Sequence, residues 1–148
     1  MKLEFAGAPE IAAPQALVWQ RLMDPAFVAS CAPAVESVET LDHTHFRVMS
    51  GLGVGSIKLR FALDVELSDL DPPTSARMSV QGKAPGSALR ATTTVRLEPL
   101  EGNRTLLRWT ASSDVYGTIA SVGARLLKGT AKKLTQEFWN KFALRVAR

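Results

Sequence analysis

Two hydrophobic periods divide this chain. From Val35 to Val115 apolar and polar positions alternate with a period of two; from Thr118 onward apolar residues recur every three or four positions. The clearest alternation runs through Ile57, Leu59, Phe61, Leu63, Val65 and Leu67, with Lys58, Arg60, Ala62, Asp64 and Glu66 between them, the signature of a half-buried antiparallel strand. The same parity gives inward sets at Phe46, Val48 and Ser50, at Ala76, Met78, Val80 and Gly82, at Ala91, Thr93, Val95 and Leu97, and at Leu107, Trp109, Ala111, Ser113 and Val115. Turn residues separate these runs: Asp42-His43-Thr44, Asp71-Pro72-Pro73-Thr74, Ala84-Pro85-Gly86-Ser87 and Glu101-Gly102-Asn103. Gly51, Gly53 and Gly55 read as a glycine-punctuated connection. Val35–Leu41 adds a short strand, and residues 2–12 another.

Between that first strand and the rest, Pro14 suits the first turn of a short helix carrying Leu17, Val18, Leu22 and Met23. Asp24-Pro25 breaks it, because the residue before proline is pushed out of the helical region. Asp24 then caps a second short helix, Pro25 to Ser30, which Pro33 closes. After Gly117 one long helix is expected, with Ile119, Gly123, Leu127, Ala131, Leu134, Phe138 and Phe142 as its apolar stripe, widened by Val122 and Leu126. Lys133–Glu137 and Glu137–Lys141 lie one turn apart on its exposed face. Such a helix would be roughly 40–45 Å long. Its stripe needs a partner, and only the concave face of the sheet is large enough. The expected fold is therefore α+β in one domain over 1–148: strand, two short helices, six strands, long helix, with a curved antiparallel sheet wrapped around that helix. A straight helix across a curled sheet touches it in the middle and leaves room at one end, where a void with few polar groups accepts an apolar guest. The alternative is an interior simply filled by Phe61, Met78 and Trp109.

The balance of 18 basic against 14 acidic residues, net +4, matters less than its distribution. The segment Thr118–Arg148 holds seven basic residues against Glu137 alone, a charge of +6, and the remainder carries −2. A basic helix on a slightly acidic body suits an anionic lipid surface, nucleic acid or an acidic protein, or is simply a solvated face. No apolar run approaches the roughly 20 residues of a membrane span, and the N-terminus lacks the continuous apolar stretch of a secretory signal. With Cys31 as the single cysteine, the expected setting is reducing and cytoplasmic.

Candidate chemistry is sparse. The inward faces hold no titratable group to act as acid or base. His43 and His45 sit at a turn without nearby cysteines, a poor metal site, and Cys31 reads as a buried structural thiol. The 51–55 glycines lack a following helix and the lysine of a phosphate loop. Nucleic-acid binding is not expected, and Trp139 reads as packing. The expected ligand contacts are Val48, Phe61, Leu63, Met78, Thr93 and Trp109 from the sheet, with Ile119, Val122 and Leu126 from the helix. No catalytic residue and no metal ligand is assigned.

Several stretches carry a resemblance. They are Val18-Trp19, Leu22-Met23-Asp24-Pro25, Cys31-Ala32-Pro33, Gly51-Leu52-Gly53-Val54-Gly55, Leu70-Asp71-Pro72-Pro73 and Thr94-Val95-Arg96-Leu97-Glu98-Pro99. The most telling is Gly117-Thr118-Ile119-Ala120-Ser121-Val122-Gly123-Ala124-Arg125-Leu126-Leu127, followed by Ala131-Lys132-Lys133-Leu134. In this order the chain resembles the CoxG subunit of carbon monoxide dehydrogenase, within the START and Bet v 1-like helix-grip superfamily (SRPBCC). The resemblance implies a non-catalytic accessory of a molybdenum hydroxylase or CO dehydrogenase. It would hold a quinone or lipid-like molecule in the cavity, with no intrinsic cofactor, and bring the enzyme to the inner membrane face. Many members continue past the last helix into a tail that reaches the membrane. The sequence here stops at Arg148, which leaves Arg125, Lys128, Lys132 and Lys133 as the expected membrane or partner surface. The superfamily also contains cyclases and hydrolases, so a small enzyme acting on an aromatic or polyketide-type substrate remains an alternative, as does a structural adaptor with a filled core.

Overall fold

The computed structural model describes residues 1–32 and 34–148. Its elements run β1 (Lys2–Gly7), β2 (Glu10–Ile11), α1 (Gln15–Leu22), α2 (Pro25–Ser30), β3 (Val35–Asp42), β4 (His45–Val54), β5 (Ile57–Asp71), β6 (Ser75–Ala84), β7 (Ser87–Leu100), β8 (Arg104–Gly117), a 3₁₀ segment (Thr118–Val122) and α3 (Ala124–Val146). All pairings are antiparallel, in the spatial order β1-β8-β7-β6-β5-β4-β3, with β2 also on β8. This is the helix-grip arrangement expected from the period-two runs. Every inward residue read from parity on β4 to β8 is buried or half-buried, while Lys58, Arg60, Asp64, Glu66, Arg96 and Arg108 face water.

Three local readings need correction. The first strand is interrupted: Ala8 and Pro9 separate β1 from β2, since proline offers no N–H to the ladder, although the Pro9 carbonyl still accepts from Leu107 N–H at 3.0 Å. The glycine connection is much shorter than expected. Gly51 and Gly53 lie inside β4, paired with Arg60 and Lys58, and only Gly55-Ser56 make the turn. The long helix does not begin at Thr118. Gly117 (φ 86°) and Gly123 (φ 103°) hold backbone conformations that side-chain-bearing residues rarely adopt, and between them the chain makes only a 3₁₀ turn. A side chain at Gly117 would also strike the Gly86 carbonyl. Helix α3 therefore has 23 residues, about 35 Å rather than 40–45 Å. Its stripe survives from Leu127 through Ala131, Leu134, Phe138 and Phe142, with Trp139 and Val146 also buried.

The short helices behave as read. Asp24 caps α2, its Oδ1 accepting from the N–H groups of Ala26 (3.1 Å) and Phe27 (3.3 Å). Pro33, read as the end of that helix, lies outside the described residues. Together α1, α2 and the C-terminal half of α3 close one end of the sheet. There Val18, Leu22, Val28, Cys31, Leu97, Leu107, Trp109 and Phe142 form a continuous apolar cluster.

Candidate functional site

The interior is sealed at one end and open at the other. Aromatic rings make the seal. Trp109 stacks on Trp139 (centroids 5.9 Å apart, 20° between planes), and Phe138 and Phe142 meet Trp139 edge-on at 4.8 and 5.7 Å. The Trp109 indole lies over Gly7, where an added Cβ would fall 2.6 Å from its nitrogen. Toward the N-terminal end of α3 the facing side chains shrink. Ala91 and Ser113, cross-strand partners on β7 and β8, look toward Ala131 and Thr135 of the helix. Four small residues in register cannot fill the gap that Trp109 and Trp139 fill one stretch further along. A cavity of about 220 Å³ results.

Its sheet wall adds Leu3, Leu52, Val54, Leu89 and Val115, and its helical wall Leu127, Thr130 and Leu134, with Ile119 from the 3₁₀ segment. Ile119 is held there by its N–H donating to the buried Ser87 Oγ at 3.0 Å. Gly82 sits opposite Leu63 and Leu89, and a Cβ there would lie 2.7 and 2.8 Å from them. The bare backbone thus lets Leu89 reach the cavity wall. Among the described residues, no acidic, basic, histidine, cysteine or tyrosine side chain lines the space. Its polar groups are three hydroxyls. Thr135 Oγ1 donates to the Ala131 carbonyl at 2.7 Å, while Ser113 and Thr130 make no side-chain hydrogen bond to another described residue.

The structure distributes the nine expected contact residues over several places. Ile119 lines the cavity. Phe61 is buried directly behind it with Val54 and Leu127. Val48 is buried with Ala29, Phe46 and Val65 under α2, and Leu63 and Met78 are half-buried against that cluster. Thr93 is a half-buried inward residue of β7. Trp109 belongs to the aromatic seal. Val122, at the end of the 3₁₀ segment, is half-buried against the cluster of Val54, Ile119 and Leu127 without lining the cavity, and Leu126 is 46% exposed, because the break at Gly123 turns the start of α3 away from the line of the 3₁₀ segment. They form a shallow groove with Gly129 and Thr130, flanked by Arg125 and Lys133. Thr130 borders both groove and cavity. Sequence reasoning missed Leu3, Leu89 and the small residues. A run of small residues at matching heights on both walls was the available signal.

Cys31 is buried, and burial pushes its thiol above the ordinary value, against smaller opposing effects of the Ser30 hydrogen bond and of Arg145 and Lys141. His43 is exposed in the β3–β4 turn, and His45 opens β4 opposite Asp42 and Glu66. No helix among the described residues is long and apolar enough to cross a membrane.

Solved structures share this architecture. A conserved protein from Geobacillus kaustophilus is 28% identical with a TM-score of 0.88, over 98% of this chain and 95% of its own. The ZhuI aromatase/cyclase from Streptomyces sp. R1128 is 19% identical with a TM-score of 0.73, over 100% and 95%. A START superfamily protein from Mycobacterium smegmatis is 12% identical with a TM-score of 0.70, over 97% and 96%. The last two show the fold alone. No curated protein matches the sequence significantly. The family model for the CoxG subunit of carbon monoxide dehydrogenase matches residues 7–147, nearly the whole chain, and includes the described cavity-lining residues other than Leu3. The chain belongs to the CoxG family of carbon monoxide dehydrogenase subunits.

Proposed function

We propose that this chain is a non-catalytic binding protein that holds the ring of a quinone or similar lipid-like molecule between α3 and the sheet. In that reading it serves a molybdenum hydroxylase or CO dehydrogenase at the inner face of the membrane. One observation carries the proposal: a cavity of about 220 Å³, walled mainly by aliphatic side chains with three hydroxyls and no titratable group among the described residues. Dry apolar cavities of about 150 Å³ already accept benzene-sized guests, whereas sites that enclose a whole drug-sized ligand run to about 300–1,000 Å³. A single substituted ring fits inside, and any long tail must leave through the mouth. Ser113 and Thr130 offer hydroxyls to a guest carbonyl, which suits a neutral ring bearing hydrogen-bond acceptors.

Family membership and the START-like fold support hydrophobic-ligand binding in general. The likeness to an aromatase/cyclase keeps an enzymatic reading in view, but proton transfer needs a titratable group within reach of the substrate, and the cavity wall supplies none. Calorimetric titration with a short-chain quinone tests the proposal. The expected result is saturable one-to-one binding with a negative heat-capacity change and recovery of the quinone unchanged. Absence of binding would overturn it, and a chemically altered quinone or polyketide-type substrate would replace it with the enzymatic reading.

A further inference from the structure

Among the described residues, every wall of the cavity belongs to the sheet or to α3 except one. Ile119, 1% exposed, reaches it from the 3₁₀ segment Thr118–Val122. Thr118 and Ser121 of the same segment are exposed. A single layer of chain therefore stands between the cavity and water here. The segment also holds itself together: the Ser121 hydroxyl donates back to the Thr118 carbonyl, and the Gly123 N–H to the Ala120 carbonyl at 3.4 Å.

Its two ends are glycines of positive φ, but for different reasons. Gly117 is packed against the Gly86 carbonyl. At Gly123 an added Cβ would meet nothing within 4 Å, so glycine serves the backbone angle alone and space surrounds it. Among the described residues, two hydrogen bonds tie the segment to the sheet, both at the β6–β7 turn. Thr118 N–H donates to the Gly86 carbonyl at 2.8 Å, and Ile119 N–H to Ser87 Oγ at 3.0 Å. The neighbouring walls are held far more firmly. β7 and β8 stay paired from Ser87–Gly117 to Leu100–Arg104. Helix α3 is anchored by Trp139 and Phe142 in the aromatic seal, and its start by Leu126, whose Cδ2 lies 3.1 Å from where a Cβ on Gly55 would be. A short, lightly tied stretch between firm elements is the part of a fold that opens first.

From these observations we infer that residues 118–122 form a strap that gates the cavity. Released from Gly86 and Ser87, the strap turns outward about Gly117 and Gly123 and carries Ile119 out of the wall. A guest enters, and the strap shuts behind it as Ile119 returns to apolar contact. Opening breaks two hydrogen bonds to the sheet and uncovers chiefly Ile119, whereas moving a strand or α3 would break a ladder or the aromatic seal. Gating motions of this kind run on the microsecond-to-millisecond scale. The identity of the natural guest rests on the binding function proposed above, whereas the motion of the strap does not.

Benzene, small enough for the cavity whatever the natural guest, is the probe. Its uptake and release by the full chain can be followed by NMR magnetisation exchange. Ser87→Ala removes one tie of the strap, and Ser87 does not line the cavity. It should raise the on-rate and the off-rate together by about tenfold, so that Kd changes far less than either. Gly123→Ala, strained only while the strap is shut, should act in the same direction. Thr105→Val removes a buried hydrogen bond of the same kind at the closed end, to the Ala13 carbonyl at 2.8 Å, and should leave both rates nearly unchanged. In the wild type, the amides of Thr118 and Ile119 should exchange with solvent faster than that of Leu107 on β8, and independently of low urea concentrations. Equal acceleration by Ser87→Ala and Thr105→Val would mean entry through global unfolding, and rates unmoved by Ser87→Ala would mean another route; either overturns the inference. So does exchange of the Thr118 and Ile119 amides only together with Leu107, or a chain that takes up no benzene and so has no cavity to gate. Gated benzene exchange without quinone binding would remove the binding function and leave the strap standing. Quinone binding with benzene rates insensitive to Ser87→Ala would do the reverse.

Discussion

Replacing Ala131 by leucine separates an open cavity from a filled core, because the two predict opposite signs. Ala131 lines the cavity from the helical side, facing the small residues Ala91 and Ser113. Leucine adds three carbons, worth about 0.8 kcal/mol each when buried in apolar surroundings, so about 2.4 kcal/mol if all find space. Leucine is nearly as good a helix former as alanine, which leaves the backbone contribution close to neutral. The opposing cost is overpacking, typically about 1–3 kcal/mol in a filled core. A cavity of about 220 Å³ is more than twice the volume of the added carbons, so the transfer contribution should win. The ligand-free variant should be more stable by about 1–2 kcal/mol, read as a raised urea midpoint at unchanged slope, or as a melting temperature higher by about 2–6 °C. Quinone binding should fall at least tenfold, since the added side chain occupies the site of the ring. A variant destabilised by 1–3 kcal/mol with unchanged ligand binding would refute the reasoning and favour the filled-core adaptor.

Ser87→Ala should cost about 1–3 kcal/mol, because it strands the buried N–H of Ile119, and should speed hydrogen exchange across residues 118–122. Gly82→Ala places a methyl group against Leu63 and Leu89; it should cost about 1–3 kcal/mol and weaken ligand binding by driving Leu89 into the cavity, as urea titration and calorimetry would show. Cys31 is held as a neutral thiol by burial, so its folded pKa lies above its unfolded one. Its contribution to stability is complete below the unfolded thiol pKa and is lost as pH rises from there through the folded value, because the unfolded chain gains the thiolate first. Thiol-reagent kinetics should show labelling that waits on unfolding, and a Cys31→Ala variant should lose that alkaline decline.

Much of the architecture was legible because burial in a one-sided antiparallel sheet forces a strict alternation, and one period-two run fixes the inward face of a whole strand. Phe61, Val65 and Leu67 buried against exposed Arg60, Asp64 and Glu66 follow directly. The helix start was not legible in the same way. Ile119, Val122, Gly123 and Leu126 fit a helical period, yet Gly117 and Gly123 carry backbone angles that interrupt it, and sequence spacing does not reveal the sign of φ. That break moves Leu126 from the expected interior to the surface. The cavity itself escaped a search for large apolar residues, since its existence depends on small ones. Trp109 was expected to contact ligand and instead stacks on Trp139, sealing the far end.

The central claim is an apolar guest between α3 and the sheet. Native mass spectrometry of the chain purified without detergent from its own host tests it most directly, with the Ala131→Leu variant beside it. The account predicts a wild-type species heavier than the bare chain by one organic-extractable molecule, and a variant that has lost it. Wild-type protein found only at the mass of the bare chain, or a guest retained equally by both proteins, would contradict it.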